Sequence, residues 1–323
     1  MVRAVSENFR CHTIAASPTD LAAEALAGLR ARPKRLPCKL FYDEAGVALF
    51  EAICATPEYD LCRNETALLR THAASIADAV GRGACLVEPG AGGCEKVGLL
   101  LDALAPAAYA PLDIAGESLE RAARTLAARR PGLRVTACAM DFLADLERIA
   151  PLLPDGRRVF FYPGSSIGNF TPEEAIALLA RFRRLAGTDG GLLIGFDCKK
   201  HPGRISRAYN DEQGLTARFN LNLLGHANRL LDGNFDPGGF AHHAFYEPVE
   251  GRIEMHLVSL RDQTVRIAGD EISFPRGETL HTENSYKYLP GEFAALAGAA
   301  GWAPAGEWLA EEAAFAVQHF RAA

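Results

Sequence analysis

The chain has 323 residues, 49% of them hydrophobic, with 34 Lys or Arg against 40 Asp or Glu and a formal net charge of -6. That length and apolar content supply core for one large or two modest domains. The acidic balance and the scattering of basic residues argue against a nucleic-acid footprint, and no run of about eighteen apolar residues or signal-like amino terminus points to a membrane or to export. A cytoplasmic monomer acting on a small molecule is expected. The eight cysteines form no C-x-x-C pair and no Cys/His spacing suited to zinc, so free thiols and no metal site are expected.

Residues 1 to about 60 fit no regular pattern, and carry two polar aromatic clusters, Phe41-Tyr42-Asp43-Glu44 and Pro57-Glu58-Tyr59. From 84 to 197 the pattern alternates: strand 84–87, helix 95–104, strand 107–112, helix 117–129, strand 133–139, helix 142–153, strand 158–162, helix 172–185, strand 191–196. Alternation of this kind predicts a parallel sheet covered by helices, an α/β, Rossmann-like fold. Its first strand runs into Glu88-Pro-Gly90-Ala-Gly92-Gly93-Cys-Glu95-Lys96. Such glycines permit positive φ and close approach of a ligand to the backbone, and Glu88 at the strand end can accept from ligand donors. Glu95 stands where the dinucleotide fingerprint needs Gly, and carboxylates repel a pyrophosphate. The amino and sulfonium charges of S-adenosylmethionine suit an acidic turn better. Asp113 ends the next strand about 20 residues on, where such sheets bind ribose hydroxyls, and Asp141-Phe142 ends the third.

The fourth strand leads into Gly164-Ser-Ser-Ile-Gly168-Asn169, whose amide can donate to a carboxylate. Thr171-Pro-Glu-Glu174 then has the form of a capping box. After Asp197 the rhythm breaks. An amphipathic segment, 214–231, precedes a Gly/Asp/Pro loop and alternating runs in hairpin style around Ile253, Met255 and Leu257, Val265 to Ile267, and Glu271 to Phe274. This α+β material includes Tyr209-Asn-Asp-Glu212 and His281-Thr-Glu283-Asn-Ser285-Tyr-Lys-Tyr288. A helix at 292–299 and an apolar run from Ala313 to Phe320 return to the sheet pattern. The expected division is 61–198 plus 286–323 as a cofactor-binding domain, and 1–60 plus 199–285 as an inserted substrate-binding domain.

These segments together resemble the histidine Nα-methyltransferases of ergothioneine biosynthesis over nearly the whole chain. The resemblance rests on Phe41-Tyr-Asp, Pro57-Glu-Tyr, the glycine turn with Glu95-Lys96, Pro111-Leu-Asp113, Asp141-Phe142, Gly164-Ser-Ser-Ile-Gly-Asn169, Tyr209-Asn-Asp, Phe219-Asn-Leu-Asn222, Ile253-Glu-Met255 and Thr282-Glu-Asn-Ser285. It implies a class I methyltransferase sheet that uses S-adenosylmethionine to carry histidine to its trimethyl betaine. Glu88, Gly90, Gly92, Lys96, Asp113, Asp141 and Phe142 would serve the cofactor. Asn169 and Tyr209 would bind the amino-acid carboxylate, and Tyr42 and Tyr59 would lie near the amine and ring, with Tyr42 as the catalytic candidate for the amine's proton. Glu283 and Ser285 would bond the imidazole while Met255 packs beside it. A ring with both nitrogens protonated offers two donors to that carboxylate and hydroxyl, and an apolar ring would leave Glu283 unpaired. The chain departs from the usual pattern at Pro89, Ala91-Gly-Gly93, Gly164-Ser-Ser166 and Asn284-Ser-Tyr286, with Asn284 and Tyr286 expected to flank the ring-reading pair. Open alternatives are an N-methyltransferase for another amino acid or small amine, and a non-catalytic S-adenosylmethionine-binding regulator. An NAD-dependent oxidoreductase is disfavoured by Glu95.

Overall fold

The computed structural model describes residues 2–6, 8–14 and 18–323. In chain order the strands are β1 (Val2–Ser6), β2 (Phe9–Thr13), β3 (Lys34–Arg35), β4 (Cys85–Pro89) and β5 (Ala108–Asp113). Next come β6 (Arg134–Ala139), β7 (Arg158–Tyr162), β8 (Gly191–Asp197), β9 (Phe240–Glu247) and β10 (Arg252–Ser259). The last are β11 (Gln263–Ile267), β12 (Asp270–Phe274), β13 (Thr279–Tyr286), β14 (Trp302–Leu309) and β15 (Phe315–Ala322). The chain divides into two compact units, one of Leu61–Lys199, Tyr288–Ala323 and the described residues up to 14, the other of residues 18–60 with Lys200–Lys287.

The first unit is built on a nine-stranded sheet in the order β1-β2-β6-β5-β4-β7-β8-β15-β14. Strands β2, β6, β5, β4, β7 and β8 run parallel, and β15 enters antiparallel to β8. The central strands read as apolar runs because both faces are covered: β4 and β8 are buried at every position. Chain order reverses between β4 and β7, so the switch point of this Rossmann-like sheet lies between the glycine turn and the Gly164 loop, where open α/β sheets bind their ligands. The capping box forms as the sequence predicts, with Thr171 N–H donating to Glu174 Oε2 at 2.9 Å and Glu174 N–H to Thr171 Oγ1 at 3.3 Å.

Several boundaries differ from expectation. Residues 8–14 belong with this unit, not with the second, because β2 forms a parallel ladder with β6. The helix expected at 95–104 is two single turns, Glu95–Gly98 and Leu101–Leu104. The one expected at 142–153 is a turn of α-helix followed by a 3-10 segment containing Pro151, whose missing N–H cannot continue an α-helical ladder. Strand β14 was not anticipated: its Pro304 and Gly306 disguise the pattern, and its ladder with β15 shifts register at that point.

The second unit holds a four-stranded sheet, β3-β13-β10-β9, and the hairpin β11-β12. The helix Leu215–Leu231 lies against β9 and β10 and against the helix Glu44–Cys54. Phe41 and Phe219 stack at 4.5 Å, and Asn222 donates to Asp43 at 2.7 Å, which accounts for two of the motifs seen in the sequence as packing partners. Among the described residues no helix is long and apolar enough to cross a membrane.

Candidate active site

In the first unit the turn after β4 takes its shape from backbone geometry. Gly90 and Gly92 have φ of 70° and 50°, a region that costs a side-chain-bearing residue energy. The N–H groups of Gly90 and Ala91 donate to the Leu112 carbonyl at 2.8 and 3.1 Å, pinning the turn to the end of β5. Asp113 adds a second clamp: one oxygen accepts from Gly92 N–H and the other from Ala115 N–H, each at 2.8 Å. Asp141 caps the turn that follows β6, accepting from Leu143 N–H at 3.0 Å and Ala144 N–H at 3.4 Å. Phe142 packs edge-on against Tyr162, and its ring is the nearest atom group to the space beside Gly90.

Glu88 is 2% exposed, and its Oε2 accepts from the Tyr109 hydroxyl at 2.5 Å. Burial lifts its pKa to about 8, against the pull of Tyr109 and the charge of Lys96. Its carboxyl therefore holds its proton to higher pH than an ordinary one, with Oε2 engaged by Tyr109 at the end of β4. Lys96 is likewise engaged within the protein. It pairs at 2.5 Å with Glu65, a fully buried residue of the helix Leu61–Val80, whose carboxylate also accepts from Gly164 N–H at 2.8 and 3.1 Å. Glu65 thus ties the turn after β4 to the loop after β7 across the switch point. Sequence reasoning missed it because a lone Glu at helical spacing looks like a solvated residue. The signal that remained was a glycine facing it: a Cβ at Gly195 would stand 2.2 Å from Glu65 Oε1. Asn169 closes the 3-10 turn Ser166–Asn169 beyond β7, half-buried, on this unit.

In the second unit the ladder between β10 and β13 carries a β-bulge. Met255 pairs with Glu283 but His256 pairs with His281, so Thr282 is the extra residue. Its hydroxyl is fixed by Asn220 Oδ1 at 2.7 Å and the Met255 carbonyl at 3.0 Å. The bulge sets which face each side chain takes, a common device beside active sites. Glu283 and Ser285 stand opposite Met255 and Ile253 on one face. Asn284 and Tyr286 take the other, opposite Glu254 and Arg252, where His281 Nε2 meets Asn284 Oδ1 at 3.0 Å and Arg252 donates to Tyr286 Oη at 2.6 Å. The two departures from the expected motif therefore alternate with Glu283 and Ser285 in sequence but lie on the opposite face of the strand.

On the front face Tyr209 donates to Ser285 Oγ at 2.7 Å, and Tyr59 packs edge-on against Tyr209 at 5.9 Å. Phe50 stands between Tyr59 and Tyr42, so an aromatic row runs from Tyr42 to Tyr209. Met255 is buried. Among the described residues no donor reaches the Glu283 carboxylate; loss of solvent pushes its pKa to about 7, tempered by the charge of Lys287. Of the expected substrate residues, Tyr42, Tyr59, Tyr209, Met255, Glu283 and Ser285 belong to this unit and Asn169 to the first.

On the back face Glu254, His256 and His281 place donor atoms within 4.8 Å of one another. Arg252 already donates to Glu254 at 2.6 and 2.9 Å, and His256 Nε2 bonds its other oxygen at 2.8 Å. A guanidinium on the only carboxylate opposes a dication, so this cluster is an ion-pair network.

These two sets of residues can be placed among known proteins. The chain is 40% identical over 293 residues to the histidine N-alpha-methyltransferase of Mycolicibacterium smegmatis, covering 87% of this chain and 90% of that one. It is 37% identical to the enzyme of the same name from Mycobacterium tuberculosis, over 87% of this chain and 88% of that one. It is 32% identical to ergothioneine biosynthesis protein 1 of Neurospora crassa over 85% of this chain, a match that spans 32% of that longer protein. The sequence profile of the SAM-dependent, histidine-specific methyltransferases matches residues 21–322, and the chain belongs to that family.

Proposed function

We propose that this protein transfers methyl groups from S-adenosylmethionine to the α-amino nitrogen of L-histidine, up to the trimethyl betaine. The observation that carries it is Glu283: a half-buried carboxylate with no donor from the described residues, on the same strand face as Ser285 and Met255. Such a group can accept from a ligand N–H, and an aromatic azole offers one.

The turn after β4 fits the cofactor in two respects. Its glycines leave the backbone uncovered, with nothing within 4 Å of a Cβ built at Gly92, and its acidic surroundings, Asp113 and Asp141, match a ligand bearing ammonium and sulfonium charge rather than phosphate. In this assignment Gly90, Gly92, Asp113, Asp141 and Phe142 hold S-adenosylmethionine, and Lys96 shapes the turn through Glu65. When bound, the cofactor supplies a methyl carbon already activated by its sulfonium leaving group.

The protein's own residues then have to bind, orient and dehydrate the substrate amine. Asn169 and Tyr209 are assigned to the substrate carboxylate, Glu283 and Ser285 to the ring, and the aromatic row from Tyr42 to Tyr209 to keeping water from the amine. An α-ammonium has no lone pair, so it gives up a proton before each transfer; Tyr42 Oη is assigned as a relay that accepts that proton while releasing its own hydrogen to solvent water, and so stays neutral. Incubation with histidine and S-adenosylmethionine, followed by mass spectrometry, is expected to give products heavier by one, two and three methylene units, and no product with phenylalanine. Methylation of another amino acid in preference to histidine, or no methylation at all, overturns the assignment.

A further inference from the structure

The Tyr209-Asn-Asp211 segment is tied to its surroundings in the second unit at every residue. Tyr209 closes the helix Pro202–Ala208, and its carbonyl, which the helix leaves without an amide, lies 3.0 Å from His242 Nε2 on β9. Asn210 donates to the Ala244 carbonyl of the same strand at 3.1 Å, and Asp211 accepts from Leu215 and Thr216 N–H at 2.8 Å each, capping the next helix. The other ring nitrogen of His242 lies 2.9 Å from Nδ2 of Asn220, a fully buried residue. Backbone carbonyls decide which atoms carry hydrogen along this path, because a carbonyl only accepts. Asn220 Nδ2 lies 3.0 Å from the His256 carbonyl, so it is the amide nitrogen and not the oxygen that faces both His256 and His242. His242 Nδ1 therefore accepts, and Nε2 keeps the hydrogen that it gives to Tyr209. A second proton on the ring would set Nδ1–H against the Asn220 amide. Burial likewise holds the ring's pKa below its usual value against the pull of the Tyr209 bond; a charge on His243 opposes a second proton and Asp211 attracts one.

We propose that His242 is a positioning residue: locked by Asn220 as the Nε2–H tautomer, it pins the Tyr209 main chain to β9 and so sets where the Tyr209 side chain meets the substrate carboxylate. This rests on the assignment of Tyr209 to that carboxylate. His242 acts through Tyr209, so its loss falls on the carboxylate end of the ligand and spares the ring end. Adjacent side chains on a strand point to opposite faces, and His243 accordingly stands on the back face beside Phe245, outside this path.

The test uses the full chain and calorimetry with L-histidine and with histamine, which keeps the ring and the amine but lacks the carboxylate. His242→Phe is expected to weaken L-histidine about 5- to 150-fold, the usual cost of stranding a buried carbonyl, and histamine less than about threefold. S-adenosylhomocysteine affinity is expected to stay within about twofold, which separates the effect from misfolding. His242→Gln, whose amide keeps one acceptor and one donor, is expected to bind L-histidine within about threefold of wild type. The wild-type protein supplies a readout that depends on neither variant folding. With its histidines 15N-labelled in the ring and the ligands unlabelled, nuclear magnetic resonance at pH 6, below the usual imidazole pKa of about 6.5, is expected to show His242 with a bare Nδ1 and a protonated Nε2. Its Nε2 resonance is expected to move when L-histidine binds and to stay when histamine binds. Equal losses of the two ligands in His242→Phe, a glutamine variant as weak as the phenylalanine one, a protonated Nδ1, or an Nε2 resonance blind to L-histidine overturns the inference. If the wild-type protein binds no L-histidine, it is the proposed function that fails, whatever the state of the His242 ring.

Discussion

Around the turn after β4, the polar side chains are matched within their own unit: Asp113 to Gly92 and Ala115, Asp141 to Leu143 and Ala144, Glu88 to Tyr109, Lys96 to Glu65. Around the bulge in β13, Tyr209, Ser285 and Lys287 form a closed triad, while Glu283 has a ladder position but no hydrogen-bond donor among the described residues. The first region uses its charges to fix a backbone shape, and what it leaves open is the space beside Gly92, where nothing lies within 4 Å of a built Cβ. The second uses a strand to present a half-buried carboxylate, Glu283, that no described residue bonds. One region is satisfied from within, and the other presents an acceptor that no described residue bonds.

The comparison breaks first at Lys96. Lys96→Met removes the cation from a fully buried Glu65 and is expected to destabilise the protein by about 3 kcal/mol in thermal unfolding, in the range for one partner of a buried pair. A variant as stable as wild type would show that the Gly164 N–H bonds alone suffice. Glu283→Ala is expected to weaken histidine about 10- to 150-fold in calorimetry, with S-adenosylmethionine affinity within about twofold; equal losses for the two ligands would erase the distinction between the regions. Asp113→Ala reverses the pattern, lowering S-adenosylmethionine affinity about tenfold and histidine affinity less, because it frees Gly92 from its clamp.

A pH measurement sharpens the same contrast. The Glu88 carboxyl has a pKa of about 8 in the folded protein and about 4.3 in an unfolded chain, so the folded form retains its proton over that window. Its stabilising contribution is complete below about pH 4.3 and is lost as pH rises through about 8. Glu88→Gln, which stays neutral, is expected to gain a few degrees in unfolding midpoint over wild type between pH 6 and 9 and none at pH 4. The smallest effect is expected at the back of β13: Asn284→Ile and Tyr286→Ala should leave the KM for histidine within about twofold, since both side chains face Arg252, Glu254 and His281. A tenfold change there would place the ring subsite on the wrong face.

Features set by local chemistry were visible in the sequence. The glycine turn, Asp113, the capping box at Thr171 and the alternation of strands depend on residues close together in the chain, where φ preference, spacing and burial leave a pattern. Features set by distant pairing were not. Glu65 becomes meaningful only when Gly164 and Lys96 arrive beside it, 99 and 31 positions away. Lys287 reads as one more charged residue until its ammonium meets Ser285 Oγ and Tyr209 Oη. The bulge at Thr282 has no signature of its own, yet it decides that Glu283 stands with Met255 and that Asn284 does not. Residues 9–13 looked unlike a core strand because Arg10 and His12 alternate with Phe9 and Cys11, and only the ladder with β6 gives them a place.

Strand β15 follows every other element in the chain, yet it lies between β8 and β14 in the sheet. During synthesis on a ribosome, the cofactor half therefore waits with β8 open at its edge until residues 315–322 have emerged, long after its glycine turn and the whole second unit have been made. Until then β8, buried along its full length in the finished protein, exposes unpaired amides to other nascent chains. Stalled or prematurely terminated products should be aggregation-prone, and a chaperone that shields strand edges should raise the yield of the intact enzyme.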